Sequence, residues 1–246
     1  MRVVAVIPAR YGSTRLPGKP LALIQDKPMI QWVYERAKQA KSLTDIWVAT
    51  DHQSIIDTVT HFGGQAMMTS PQCLSGTDRV AEVAKIIEAE VYVNIQGDEP
   101  LIDPAGIDQA VALVTSGRFE CATLMTPFHS ASELQEKSVV KVMVDLNQKA
   151  VYFSRYAIPY SRIEAPVNLK DYACRKHVGL YVYRRDLLFR WQALPTSSWE
   201  LAESLEQLRA LQNGISIGVA EIDAEMASVD TPEDLKKVIQ MIKKGT

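Results

Sequence analysis

A short loop near the N-terminus contains the residue types that polyphosphate chemistry requires. Residues 8–20 read PARYGSTRLPGKP, with three cations, two glycines, one serine and one threonine. Cations neutralise phosphate charge, and glycine lets backbone amides approach phosphate oxygens closely. The loop lacks the GxxxxGK pattern of a P-loop and the GxGxxG turn of dinucleotide-binding proteins. An ordinary solvated basic loop is the alternative, but this density of cations behind an apolar run favours phosphate binding by Arg10, Arg15 and Lys19.

Two aspartates stand where a divalent cation on that phosphate would need ligands. Asp98 follows the apolar run 91–95, and Asp230 precedes a segment that predicts a last helix, with Thr231 as N-cap and Pro232 in its first turn. Magnesium takes one or two protein carboxylates and completes its shell with phosphate oxygens and water. Acidic residues at a helix N-terminus also favour the helix dipole, so the residues alone leave both interpretations of Asp230 open. The neighbouring acids Glu99 and Asp234 are the less favoured ligands.

Apolar runs alternate with helical patterns through the first half of the chain. Residues 3–7, 46–49 and 91–95 are continuous apolar runs, typical of parallel strands that are buried on both faces. Apolar residues recur at helical spacing over about 29–37, 55–62, 80–87 and 107–114. This alternation predicts an α/β fold with a doubly wound, mostly parallel sheet.

The polar residues at the ends of these strands are predicted to lie along one edge of the sheet. Ligands bind such sheets beyond the carboxyl ends of the strands, where Arg10, Asp51 and Asp98 are all expected. Asp51 has two interpretations, a nucleotide contact or the cap of a helix that begins near residue 53. We favour the cap.

The pattern changes after about residue 125. Strand-like segments at 139–144 and 150–153 flank a polar stretch, which predicts a hairpin. Residues 179–183 and 215–220 predict strands, and 187–191 and 201–211 predict helices. We therefore expect one domain over residues 1–246 with a β-rich, lid-like subdomain inserted at about 126–200.

Charge and cysteine usage exclude several classes of protein. The 27 basic and 29 acidic residues give a net charge of −2, which argues against nucleic acid or a membrane as a partner held by bulk charge. Cys73, Cys121 and Cys174 are far apart and form no CxxC pair, which argues against a disulfide framework or a zinc site. No apolar stretch is long enough to span a membrane, and the first one is too short for a signal peptide. We expect a cytoplasmic protein.

Nine segments of the chain together resemble the 3-deoxy-manno-octulosonate cytidylyltransferases, the CMP-Kdo synthetase family. The run IPARYGSTRLPGKPL from Ile7 is similar to the signature of that family. The other segments follow in the family's order: VATDHQSI from Val48, SGTDRVAEV from Ser75, NIQGDEPLI from Asn94, VKVMVD from Val140, YFSRYAIP from Tyr152, KHVGLYVYR from Lys176, LEQLR from Leu205 and VDTPEDL from Val229.

The resemblance implies a Rossmann-like nucleotidyltransferase fold with an inserted lid or dimerisation subdomain, a homodimer, and transfer of CMP from CTP to a sugar acid. It implies Mg²⁺ on Asp98 and Asp230, and catalytic roles for these two aspartates, Arg10 and Lys19. The CTP-binding residues it implies are Pro8, Ala9, Arg10, Arg15, Lys19, Ser75, Gly76, Thr77 and Arg79. Ser75 or Thr77 is alternatively a helix cap, while the small Ser75 and Gly76 suit close approach to a base.

The candidates for binding the sugar are Gln96, Lys141, Arg155, His177, Tyr181, Glu206 and Gln207. The resemblance implies that His177 and Tyr181 line the sugar pocket, whereas Gln96 could contact either the sugar or the nucleotide. Arg155 is the candidate for the sugar carboxylate because arginine forms bidentate pairs with carboxylates, and a surface ion pair is its alternative. A lone histidine on a strand is more often structural than functional, so His177 is assigned by the resemblance alone. Lys141 is alternatively part of a solvated hairpin, and Glu206 part of an exposed helix face.

The sequence also departs from the family pattern. Residues 197–203 read SSWELAE where many members have a more basic, polar run, Ser228 replaces a frequent glycine, and the loop over 161–176 is short. These departures leave the sugar open between 3-deoxy-manno-octulosonate and an 8-amino variant. A sialic acid cytidylyltransferase, a hexose-1-phosphate nucleotidyltransferase and a non-catalytic nucleotide sensor are the remaining alternatives.

Overall fold

The computed structural model describes residues 1–13, 15–160, 169 and 172–245. Thr14 of the basic loop and residues 161–168, 170 and 171 of the segment predicted to be short lie outside these residues. The chain divides into two compact units. The first unit comprises Met1–Asp108 and the segment that begins at Met226, and the second comprises Gln109–Glu225.

A parallel sheet forms the centre of the first unit. Strands β1 (Val3–Ala9), β4 (Asp45–Thr50), β5 (Gln65–Met68) and β6 (Val91–Asn94) lie in the order β6-β1-β4-β5, and each adjacent pair is parallel. Residues 3–7 of β1 are buried, as the apolar run predicted. A second, antiparallel pair consists of β2 (Leu23–Ile24) and β3 (Lys27–Pro28).

Helices alternate with these strands. They are α1 (Met29–Ala37), α2 (Gln53–His61), α3 (Gly76–Ile86), α4 (Pro104–Thr115) and α9 (Pro232–Gly245), with a 3-10 turn at Lys19–Leu21. The division between the units falls within α4. The apolar face of α9 packs through Val238 and Ile242 against Ile24 and Met29, which seats the C-terminal helix on the first unit.

The second unit contains a mixed sheet. Strand β7 (Cys121–Thr126) pairs in parallel with β11 (Ile217–Glu221) and antiparallel with β10 (Arg175–Arg184). The predicted hairpin is β8 (Lys141–Val144) and β9 (Ala150–Ser154), and β8 also pairs with β10. The helices are α5 (Ala131–Gln135), α6 (Arg185–Gln192), α7 (Ser198–Glu203) and α8 (Gln207–Gln212).

Two expectations differ from the structure. The second unit is longer than the subdomain predicted at 126–200, because β7 pairs with both β10 and β11 and so joins these strands in one sheet. The single helix predicted over 201–211 is two helices, because Ser204 between them has a left-handed backbone with φ 52°. The predicted α/β fold with a mostly parallel sheet is confirmed.

All three cysteines are free, buried thiols. Among the described residues, no helix is both long enough and apolar enough to cross a membrane.

Candidate active site

The basic loop is organised around Tyr11, directly after β1. The Tyr11 backbone N–H donates to Asp51 Oδ1 at 3.3 Å, and its carbonyl accepts from the backbone amides of Ser13 at 3.1 Å and Gly18 at 3.3 Å. The φ of 65° at Gly18 is a left-handed conformation that glycine adopts at little cost, and it leads into the turn that begins at Lys19. The loop is therefore folded back on itself, and Lys19 is held at its end.

Lys19 contacts both aspartates that the sequence singled out. Its Nζ lies 2.6 Å from Asp98 Oδ2 and 3.1 Å from Asp230 Oδ1. Arg15 adds a second cation, with one guanidinium nitrogen 3.1 Å from the same oxygen of Asp230. The structure thus brings together four residues that are spread over more than two hundred positions of the chain.

Backbone contacts explain why the two aspartates are neighbours. The N–H of Val229, which is buried in the core, donates to the carbonyl of Asp98 at 2.9 Å. On the other side, a Cβ at Gly97 would lie 2.7 Å from the Pro8 carbonyl, so the segment after β6 passes close to the end of β1. Asp98 is therefore held from both sides by main chain.

The start of α9 leaves the Asp230 carboxylate available to the loop. The Asp234 carboxylate accepts from the backbone amides of Asp230 at 3.2 Å and Thr231 at 3.0 Å, and Thr231 Oγ1 accepts from the Asp234 amide at 3.2 Å. Thr231 is the N-cap, as predicted, and Asp234 completes the cap in a reciprocal arrangement. The cap uses Asp234, whereas Asp230 faces the cations.

The charges at this site are partly desolvated. The side chains of Lys19, Asp98 and Asp230 are 17%, 27% and 40% exposed, respectively. Burial disfavours the charged form of Lys19, but attraction and hydrogen bonds from Asp98 and Asp230 outweigh it and raise the pKa of Lys19 above its ordinary value. Arg10 is exposed and has no side-chain partner among the described residues, so its guanidinium is available to a ligand.

The donor set suits magnesium. A single cation, the Lys19 ammonium, already bridges Asp98 and Asp230, which shows that both carboxylates can reach one positive centre. Within the described ranges, no group of three or more His, Cys, Asp and Glu side chains could hold a metal. Two carboxylates beside a phosphate-binding loop are what magnesium uses when phosphate and water supply its remaining ligands.

The turn before α3 has the cap that the sequence allowed. Ser75 is the N-cap, and its side chain accepts from the Asp78 amide in a capping box with the Asp78 carboxylate. A Cβ at Gly76 would lie 3.4 Å from both the Pro8 ring and the Asn94 amide group. The turn therefore lies against the ends of β1 and β6, and Gly76 adjoins Pro8, another residue predicted to bind the nucleotide. Thr77, also predicted to bind CTP, is buried in α3.

Arg79, predicted to contact CTP, and Asp51, predicted to cap α2, have different partners in the structure. Arg79 is fully buried and donates to Thr69 Oγ1 at 2.6 Å and Asp51 Oδ2 at 2.7 Å. The cap of α2 is His52, whose Nδ1 accepts from the Ser54 amide at 3.3 Å. The preference for Asp51 as the cap was wrong, because the residue one position later supplies it.

Lys141 and Arg155, predicted to bind the sugar, both donate to main-chain carbonyls of the second unit. Lys141 is fully buried, and its Nζ donates to the carbonyls of Glu136 at 2.6 Å, Val139 at 2.7 Å and Arg155 at 3.1 Å. Those three bonds use every donor of the ammonium, and burial lowers the pKa of Lys141. The alternative of a solvated hairpin lysine is excluded, and a sugar would have to displace a carbonyl to reach this side chain.

The Arg155 guanidinium is bonded to the C-terminal end of α7. It donates to the carbonyls of Glu203 at 2.7 Å, Ser204 at 3.2 Å and Lys137 at 3.1 Å. Among the described residues, Arg155 forms no ion pair through its guanidinium, so the surface ion pair that was its alternative is not seen there. Guanidinium has five N–H donors, so these three bonds leave capacity for a ligand carboxylate.

His177 and Tyr181 pack together on β10. The His177 imidazole lies between the rings of Phe153 and Tyr181, with ring centroids 5.0 Å and 5.5 Å away. Its Nε2 is 2.9 Å from Thr123 Oγ1, and burial lowers its pKa to about 3. The Tyr181 hydroxyl is buried, and no group in the described part of the chain meets hydrogen-bond geometry with it; the nearby Thr123 side chain offsets only part of the effect of burial, which raises the pKa of Tyr181 well above its usual value. An orphaned buried hydroxyl is uncommon and is consistent with a ligand that completes it.

The remaining predicted residues lie at element ends. Glu206 precedes α8 and accepts from the Trp191 indole at 3.1 Å, so it is not simply part of an exposed helix face. Gln207 is buried at the start of α8. Gln96 lies in the first unit and donates to Asn94 Oδ1 at 3.2 Å. The other sugar-side candidates all belong to the second unit.

Tyr11 and Thr123 are site residues that sequence reasoning missed. Tyr11 was counted only as a member of the basic loop, and no local pattern marks its role as the loop's hydrogen-bond centre. Thr123 had a detectable signal, since it is a hydroxyl residue inside a mostly apolar, buried strand. Buried hydroxyls find partners, and Thr123 bonds to His177 and to the carbonyls of Val178 and Leu180.

Comparison with known proteins agrees with this architecture. A protein-family model described as cytidylyltransferase matches residues 4–217. The chain is 48% identical to the 3-deoxy-manno-octulosonate cytidylyltransferase of Geobacter sulfurreducens, over 99% of this chain and 100% of that protein. It is also 45% identical to an 8-amino-3,8-dideoxy-manno-octulosonate cytidylyltransferase of a Shewanella species, over 100% of both.

The fold has a solved counterpart. The structure of a CMP:2-keto-3-deoxy-manno-octonic acid synthetase complexed with CTP matches this chain with a TM-score of 0.92 and 46% identity, covering 100% of both chains. This agreement and the full-length relatives confirm the resemblance seen in the sequence. The chain belongs to the cytidylyltransferase family, among its 3-deoxy-manno-octulosonate cytidylyltransferases.

Proposed function

We propose that this chain transfers CMP from CTP to the anomeric hydroxyl of 3-deoxy-D-manno-octulosonate, releasing pyrophosphate and giving CMP-Kdo for lipopolysaccharide synthesis. The observation that carries the proposal is the meeting of Lys19 with Asp98 and Asp230 at the end of a basic loop. A sugar nucleotidyltransferase needs this combination of phosphate-binding cations and metal-binding carboxylates. The loss of either aspartate would have favoured a non-catalytic nucleotide sensor, and both are present.

In the proposed reaction the sugar hydroxyl oxygen attacks the α-phosphorus in line. A bond forms between that oxygen and phosphorus, the bond to the bridging oxygen of the β-phosphate breaks, and the hydroxyl proton passes to solvent. Arg10, Arg15 and Lys19 hold the phosphates and neutralise the charge on the departing pyrophosphate. Such reactions depend mainly on positioning and electrostatic stabilisation, which fits a site without an evident general base.

Magnesium belongs to this proposal through Asp98 and Asp230. When bound, it would neutralise phosphate charge and polarise the phosphoryl oxygens. The two carboxylates would then bind the metal in place of Lys19 and Arg15. The charged groups of these two side chains would be available to contact phosphate.

The sugar acid is proposed to contact residues of the second unit, together with Gln96. The orphaned hydroxyl of Tyr181 supports this assignment, and so do the donors that Arg155 retains beyond its three carbonyl contacts. His177, Glu206 and Gln207 are the other proposed contacts. The saturated ammonium of Lys141 supports a role in holding the hairpin instead.

Pyrophosphate release is the direct test of the proposed function. The purified protein would be assayed with magnesium, each of CTP, UTP, ATP and GTP, and a panel of 3-deoxy-manno-octulosonate, its 8-amino analogue and a sialic acid. We expect the highest kcat/KM with CTP and 3-deoxy-manno-octulosonate. Equal values for ATP and CTP would contradict cytidylyl transfer, and a preference for the 8-amino sugar would assign the chain to the activity of its Shewanella relative.

A homodimer, implied by the resemblance, and a cytoplasmic location, expected from the sequence, complete the proposal. Light scattering after size-exclusion chromatography tests the first, and a mass corresponding to one chain across the working concentration range would contradict it. Cell fractionation tests the second.

A further inference from the structure

We propose that Asp51 is a positioning residue for the basic loop, held in place by the buried Arg79. The inference rests on the proposed function for the identity of the nucleotide. It assigns Asp51 neither to the nucleotide nor to a helix cap, and it gives Arg79 a role away from the ligand.

The chain of contacts begins in the core of the first unit. Thr69 follows β5, and both its amide and its hydroxyl donate to the Thr50 carbonyl, at 2.7 Å and 3.1 Å. The Thr69 hydroxyl oxygen in turn accepts from Arg79 at 2.6 Å. Arg79 is therefore fixed against the carboxyl ends of β4 and β5.

Asp51 connects Arg79 to the basic loop. One carboxylate oxygen pairs with Arg79 at 2.7 Å, and the other accepts the Tyr11 backbone N–H at 3.3 Å. The pairing with Arg79 also cancels the charge of Asp51. The loop can then be anchored by a carboxylate without a net negative charge beside a site that must attract triphosphate.

Tyr11, which Asp51 holds in place, contacts residues near both ends of the loop. Its carbonyl receives the amides of Ser13 and Gly18, and its ring stacks on His52 with centroids 3.8 Å apart. Arg10 precedes Tyr11 and Lys19 follows Gly18, so two phosphate-binding cations flank residues that Asp51 holds through a single amide. Catalysis of this type loses rate when phosphate-binding groups are misplaced by about 1 Å.

The test compares Asp51→Ala with wild type in CTP binding and in steady-state kinetics. We expect Asp51→Ala to weaken CTP binding, measured by calorimetry with magnesium, by about tenfold or more, as for a lost hydrogen bond to a charged group. The KM for CTP should rise in parallel while the KM for the sugar acid stays within about twofold. Asp51→Asn keeps an oxygen for the Tyr11 amide and should give an intermediate value.

Asp108 offers a matched control. Its carboxylate anchors a different loop of the first unit, accepting from the amides of Lys41 at 3.1 Å and Ser42 at 2.8 Å. Asp108→Ala likewise removes a carboxylate that anchors loop amides, and it should leave CTP binding unchanged. If Asp51→Ala fails to fold, Asp51→Asn is compared with Asp108→Asn in the same way.

The outcomes separate this inference from the proposed function. CTP binding by Asp51→Ala within twofold of wild type, or an equal loss in Asp108→Ala, would overturn the positioning role. Wild-type protein that binds no CTP and releases no pyrophosphate would instead contradict the proposed function.

Discussion

The Lys19 ammonium lies 2.6 Å from the Asp98 carboxylate and bridges it to Asp230. Arg15 also contacts Asp230, so in this structure two carboxylates are matched by two cations. A divalent cation gains little from a site whose charge is already balanced. A triphosphate changes that balance, because its oxygens attract the same two cations. We infer that metal and nucleotide bind with positive coupling, which by linkage must act in both directions.

The first prediction concerns metal binding without nucleotide. Lys19→Met keeps the length of the side chain but removes the charge that occupies the two aspartates. We expect the nucleotide-free variant to bind Mn²⁺ about tenfold more tightly than wild type, as measured by calorimetry or electron paramagnetic resonance. This gain corresponds to about 1.4 kcal/mol.

Lys27 provides the control for this prediction, since its Nζ pairs with Glu35 at 2.8 Å elsewhere in the first unit. Lys27→Met should leave Mn²⁺ affinity at the wild-type value. Unchanged Mn²⁺ affinity in Lys19→Met would show that the lysine does not compete with the metal.

The second prediction concerns the aspartates themselves. Asp98→Asn and Asp230→Asn should each lower kcat/KM at ordinary magnesium concentration by about a hundredfold or more, because a metal held by carboxylates stabilises charge in the transition state. Circular dichroism should show an intact fold. Asp57→Asn, which removes a carboxylate that accepts from Gln53 on the exposed side of α2, is the control and should keep wild-type turnover. Near-normal turnover in either site variant would remove that aspartate from the metal site.

The sequence predicted the first unit well because parallel strands end at one edge of their sheet. Arg10, Asp51 and Asp98 each follow a strand, and the structure places all three beyond strand ends. The contact between Asp98 and the segment before α9 depends on a backbone hydrogen bond from Val229. No local sequence pattern predicts this hydrogen bond between distant segments of the chain, so the sequence alone left two interpretations of Asp230 open.

Long cationic side chains were the least predictable feature. Arg79 and Lys141 were assigned to ligands, whereas both are fully buried and bonded to protein oxygens. Whether such a side chain is buried depends on which oxygens the tertiary fold brings to it, and sequence spacing does not encode this. The break between α7 and α8 at Ser204 was also not predictable. A glycine often marks a position of positive φ, whereas a serine at such a position gives no sequence signal.

The third prediction separates structural and binding roles of Arg155. Two of its carbonyl contacts, to Glu203 and Ser204, hold the end of α7 and the third is to Lys137, and lysine cannot reproduce the planar fork that makes them. Arg155→Lys should lower the free energy of unfolding by about 1–3 kcal/mol in urea titrations.

If the remaining donors bind the sugar carboxylate, the KM of the sugar should rise about tenfold or more while CTP binding measured by calorimetry stays constant. A destabilised variant with an unchanged sugar KM would leave Arg155 with a structural role only, and a collapse of CTP binding would place it with the nucleotide.

The last prediction concerns the acid sensitivity of the second unit through His177. Thr123 Oγ1 lies 2.6 Å from the Leu180 carbonyl, so its single proton is donated there and its oxygen accepts from His177 Nε2–H. This hydrogen bond places a ring proton on Nε2, and burial among aromatic rings, which lowers the pKa of His177 to about 3, keeps the imidazole neutral at neutral pH.

Because burial lowers the pKa of His177 to about 3 in the folded protein, against about 6.5 in an unfolded chain, only the unfolded state takes up this proton between those two pH values. The stability that the neutral histidine contributes is present above pH 6.5 and is lost as the pH falls towards 3. The free energy of unfolding would be measured in urea at several pH values between 7 and 4. As the pH falls, that of wild type should decrease by up to about 1.4 kcal/mol per pH unit more than that of His177→Gln. Glutamine can keep the hydrogen-bond donor to Thr123 but cannot titrate. His61→Gln, which removes an exposed histidine at the end of α2, should follow wild type. Parallel stability curves for wild type and His177→Gln would mean that His177 accepts the proton in the folded state, and that the imidazole is not protected from charge by its surroundings.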